Sequence, residues 1–228
     1  MKKQFFEQAG KLDAWNFAIS MRNATEFVRT GYHLVKFLIE KRKNNLQEII
    51  LKESFPEDRQ VSFPPGDAII IGNQNYSIHL LLQMCSQSIF QSAHSFFDYL
   101  AQFINCIYFN TPLQESDVSF SKVRKKCNNL TIAKWMEDLE DNIYYKLICD
   151  FNNKTKHYEI LNLILRFAVD DYEVTVKTSG FSKQTKEGQH SYGQYNLVEL
   201  TEKVYELLHN SFQQIDVFTT EELTKQEP

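Results

Sequence analysis

The densest run of chemically capable side chains in this sequence is Asp150-Phe151-Asn152-Asn153-Lys154-Thr155-Lys156-His157. Wound as a helix, Asp150, Asn153 and His157 stand three and four positions apart. That spacing brings a carboxylate, an amide and an imidazole onto one face, with Lys156 beside them. Such a set suits proton transfer next to an anion. An imidazole with an ordinary pKa of about 6.5 gives and takes a proton near neutral pH, and an ammonium holds a phosphate as a point charge. The same residues also suit a plainer task, because polar side chains and a histidine at a helix C-terminus complement its last carbonyls and its dipole.

The element that must position them is predicted to be one helix running from Thr131 to His157. Ile132, Trp135, Met136, Leu139, Ile143, Leu147 and Phe151 recur at steps of three and four, the period of a single buried stripe. Upstream, Leu12 to about Lys43 reads as a long helix with Asp13 as N-cap, open to a break near Gly31. Its end is the basic run Lys41-Arg42-Lys43, which suits the negative end of a helix dipole. Tyr76 to Phe109 is the most regular amphipathic stretch, with Ile89, Phe90, Ala93, Phe96, Phe97, Leu100, Phe103, Ile104 and Ile107 on one face. A last helix begins after Asn196, a cap candidate, and carries Leu197, Leu200, Val204, Leu207, Leu208, Phe212 and Ile215 on its apolar face.

Between these helices, residues 44–75 read as a long loop with room for one short strand, since Pro56, Pro64, Pro65, Gly66 and Gly72 interrupt the apolar pieces. Residues 160–177 alternate apolar and polar around Asp170-Asp171 and are expected to form a β-hairpin inserted before the last helix. Thr178 to Gly193 reads as a flexible loop, and the polar tail 219–228 is expected to fray. A short helical piece at Ser119 to Asn129 carries Lys122, Arg124, Lys125 and Lys126, a cluster that serves either as a solvated helix face or as an RNA contact.

Composition supports a single mainly α domain over 1–228, a bundle of four to five principal helices. The chain is 43% hydrophobic and 14% aromatic, ample for a core, while its 7 Gly and 5 Pro are too few for a turn-rich all-β fold. A net charge of -4 removes blanket attraction to nucleic acid, so any RNA contact has to be local. Cys85, Cys106, Cys127 and Cys149 form no Cys-x-x-Cys pair and read as reduced thiols, which points to a cytoplasmic compartment. No secretory leader and no membrane span are expected. The spacing offers no metal site, and no cofactor motif is present: there is no phosphate-binding loop, dinucleotide fingerprint, nucleophile elbow or His-Glu-x-x-His.

With two long amphipathic helices, a third ending in Asn152-Asn153-Lys154-Thr155-Lys156-His157 and a final helix after it, the chain resembles the HEPN superfamily of α-helical bundles. Many members of that family are metal-independent endoribonucleases of toxin or defence systems, often dimeric, whose motif is an Arg, a polar residue and a His a few positions on. The resemblance places His157 at the family's His and Asn153 at its polar residue, and it puts Asn152 where the Arg stands. An amide there lacks the bidentate cationic grip of a guanidinium. The resemblance therefore implies two alternatives. One is an endoribonuclease in which His157 moves the proton while Asn153 and Lys156 hold the phosphate, with Asn152, Lys154 and the Lys122, Arg124, Lys125, Lys126 cluster along the RNA. The other is a catalytically inactive dimeric module that binds RNA or a protein partner. A homodimer, and an antitoxin or other protein partner, are further implications of the family.

Overall fold

A computed structural model of the chain describes residues 1–52, 67–157, 162–168, 173–185 and 188–224, with side chains described in these ranges except at 49–52, 154–157, 165–168, 173 and 185. It is mainly α, with three small antiparallel hairpins among seven helices in the described residues. In chain order they are α1 (Lys3–Gln8), α2 (Leu12–Lys52), β1 (Ala68–Ile71), β2 (Gln74–Ser77), α3 (Ile78–Tyr108), α4 (Phe120–Lys126), α5 (Leu130–Asp141), α6 (Ile143–His157), β3 (Leu163–Ala168), β4 (Glu173–Thr178), β5 (Phe181–Thr185), β6 (Gly188–Tyr192) and α7 (Leu197–Thr224). Two compact units share this chain.

The first unit comprises Met1–Arg29, Phe90–Asn153 and Lys203–Pro228. Its interior is aromatic. Phe97 meets Phe120 and Tyr145 edge to face at 5.9 and 4.8 Å, Phe90 lies 4.5 Å from Phe151, and Phe6 of α1 lies 6.1 Å from Phe103. The expected apolar stripe of α3 supplies this core: Phe90, Ala93, Phe96, Leu100, Phe103 and Ile104 are completely buried. Short α4 is fixed by Ser119, whose hydroxyl accepts the Lys122 N–H, and by burial of Phe120 and Val123.

The second unit comprises Thr30–Ile89 and Lys154–Glu202. Here Val35, Leu38, Leu46, Ile78, Leu82 and Ile89 are buried, and Leu163, Val176, Tyr192, Leu197 and Leu200 are buried in the C-terminal segment. The hairpin expected at 160–177 is present as β3 paired to β4 from Leu163 opposite Thr178 to Ala168 opposite Glu173.

Several sequence expectations are corrected. The stretch from Thr131 to His157 is two helices, because Asn142 turns extended (ψ 130) and its side chain accepts the Tyr144 N–H at 2.8 Å, ending α5 and capping α6. Helix α2 does not break at Gly31. A Cβ there would stand 2.6 Å from Ile89 Cγ1, so the glycine permits close helix packing. Asp13 lies inside the first turn of α2, and α2 continues to Lys52, so Lys41, Arg42 and Lys43 are not at a helix end. The expected loop at 44–75 therefore starts as helix and finishes as the β1–β2 hairpin, with 53–66 outside the described residues. Thr178 to Gly193 contains the β5–β6 hairpin, in which Phe181 stacks on Tyr192 at 4.7 Å. The tail is helical through Thr224, and Thr219 is only 1% exposed; residues 225–228 are outside the described range. The polar, Ser-, Gln- and Lys-rich composition of β5 and β6 reads as loop, which hid the strands.

Candidate functional site

Helix α6 is the element that sets the candidate residues. Its start is fixed by the Asn142 cap, and its inner face by Leu147, Ile148 and Phe151, each at most 3% exposed. From there the chain stays helical to His157, so positions 153, 156 and 157 fall within about one turn of backbone. Asn153 is exposed. The side chains of Lys154, Lys156 and His157 lie outside the described residues.

The shared face expected for Asp150, Asn153 and His157 is corrected in part: Asp150 is 6% exposed, whereas Asn153 stands in solvent. Asn152 is 3% exposed, so its amide is directed to the interior rather than toward a strand of RNA at the surface. Sequence periodicity missed this because the buried arc of α6 is wide, taking in the three successive residues Asp150, Phe151 and Asn152.

The cations of α4 divide into two kinds. Arg124 is a structural residue: its Nε lies 2.5 Å from Glu140 Oε2 and a second nitrogen lies 3.7 Å from Glu137, both on α5. Lys122 reaches Asp117 at 3.4 Å across an exposed surface, a contact of little strength in water. Lys125 and Lys126 are exposed in the last turn of α4, where they complement its dipole and face solvent.

Other chemistry is limited among the described residues. No group of three His, Cys, Asp or Glu converges there as a metal site. None of the four cysteines is in a disulfide, and burial pushes Cys85, Cys106 and Cys127 upward, away from the nucleophilic thiolate. No helix among these residues is long and apolar enough to cross a membrane. A polar cavity of about 80 Å³ lies between Tyr108, Asn129, Thr131, Glu221 and Glu222. It is far below the roughly 300 Å³ at which small-molecule pockets begin, and its size and polar lining suit water. Burial holds the Tyr108 hydroxyl well above its ordinary range, with the Thr219 hydroxyl acting in the opposite direction.

Two residues with a structural role were not singled out from the sequence. Asp67 accepts the Ser77 hydroxyl at 3.0 Å and the His79 N–H at 3.2 Å at the start of α3, and it pairs with Arg42 of α2. Ser77 adds a second cap by accepting the Leu80 N–H at 3.2 Å. Ser77, directly before the apolar run of α3, carried the N-cap signal in the sequence.

In comparisons with known proteins, no family model, no curated protein and no solved structure matches the chain.

Proposed function

We propose that the chain is a HEPN-like protein that acts on RNA at the C-terminal end of α6, as a metal-independent endoribonuclease of toxin or defence type. One observation supports the reading: α6 remains helical through His157 with Asn153 in solvent, which keeps the backbone positions of Asn153, Lys156 and His157 within about one turn. In this reaction His157 takes the proton of a ribose 2′-OH, and that oxygen attacks the adjacent phosphorus. The bond to the 5′-oxygen breaks, the leaving oxygen is protonated, and a 2′,3′-cyclic phosphate and a 5′-hydroxyl result. Lys156 and Asn153 hold the phosphate oxygens as charge develops on them. Lys125 and Lys126, exposed on α4, also contact the RNA backbone. The acting form is a cytoplasmic homodimer, held in check by an antitoxin-type partner.

A second reading is favoured by Asn152, which replaces the family's Arg and is buried at 3% exposure. On it the chain is an inactive dimeric module that binds RNA or a protein partner. Incubating the full chain with cellular RNA in EDTA separates the two. Discrete cuts that vanish in His157→Ala support the nuclease. A gel shift without cuts supports the binding module. Neither cuts nor shift removes RNA from the account.

A further inference from the structure

We draw no further inference here: the strongest candidate, the exposed apolar face of α2 carried by Ile19, Phe27, Leu34 and Phe37, is a bare helix face among the described residues and nothing in the structure shows what covers it.

Discussion

Arg42 and Asp67 form an ion pair in the interior of the second unit, with Nη1 2.7 Å from Oδ1 and the Arg42 side chain 6% exposed. The N–H is not aligned on the carboxylate as a directed hydrogen bond, so charge does most of the holding. Burial lowers the Arg42 pKa, and Asp67 acts against that shift. Removing Asp67 leaves a largely buried guanidinium without its counter-charge, with only partial access of water in its place. Asp67→Asn is expected to cost stability toward the low end of the ~3–5 kcal/mol typical of broken buried pairs, because Asp67 itself is partly exposed. Arg42→Met combined with Asp67→Asn should cost less than Asp67→Asn alone. Urea midpoints at unchanged slope measure both, and a single variant as stable as the parent contradicts the pairing.

Gly31 is set by sterics rather than by chain flexibility. Its missing Cβ makes room for Ile89 Cγ1 and Cδ1, which a methyl would approach to 2.6 and 2.9 Å. Gly31→Ala gains up to ~1 kcal/mol in helix propensity but overpacks against fully buried Ile89 at ~1–3 kcal/mol, so net destabilisation is expected. Adding Ile89→Ala should make the two changes non-additive, with the methyl tolerated once the isoleucine is gone. Thermal melts of the three variants test this; equal effects of Gly31→Ala in both backgrounds would refute the contact.

Alkaline pH has a signed consequence. Burial raises the pKa of Tyr108 and Tyr145 above their ordinary 10.0, with nearby acidic groups and the Cys149 thiol adding to the effect. A group raised in the folded state binds its proton more tightly there than in the unfolded chain. Its stabilising contribution is therefore complete below pH ~10 and is lost as pH climbs from there toward the folded value. Absorbance titration of tyrosinate should show Tyr108 and Tyr145 among the groups that ionise above the ordinary tyrosine range. Tyr108→Phe and Tyr145→Phe should each remove one of them, and an unchanged high-pH component in both variants speaks against the assignment.

RNA affinity is expected to depend on the exposed cations of α4. Lys125→Gln with Lys126→Gln should flatten the slope of log affinity against log salt by about 1.4, at ~0.7 for each single-strand phosphate that is no longer neutralised. Arg124→Gln, by contrast, should lower stability by removing its pairing with Glu140 and Glu137 and leave the salt slope largely intact. Filter binding across a salt series reads this directly, and an unchanged slope in the lysine variant removes α4 from the interface.

Much of the fold was legible because helical periodicity is a direct imprint of burial. The stripe from Ile89 to Ile107 and the Asn196 cap, which accepts the Val198 N–H at 2.9 Å, are where the residues placed them. What periodicity cannot carry is phase across a break: Leu139 and Ile143 keep a helical interval although Asn142 between them is extended. Nor does a basic residue announce its partner. Arg42 within Lys41-Arg42-Lys43 reads as a helix end, and only the return of the chain at Asp67 accounts for it. In the site, residue types pointed to positions 152–157, whereas the inward direction of Asn152 is set by the packing of α6.

Action on RNA at the end of α6 through His157 is tested most directly by electrophoresis of a labelled single-stranded RNA incubated in EDTA with the parent chain and with His157→Ala. Circular dichroism and melting confirm in parallel that the variant is folded. Discrete fragments ending in 2′,3′-cyclic phosphate are expected with the parent and none with the variant. Equal cleavage by both proteins, or intact RNA with both, would contradict a nuclease acting through His157.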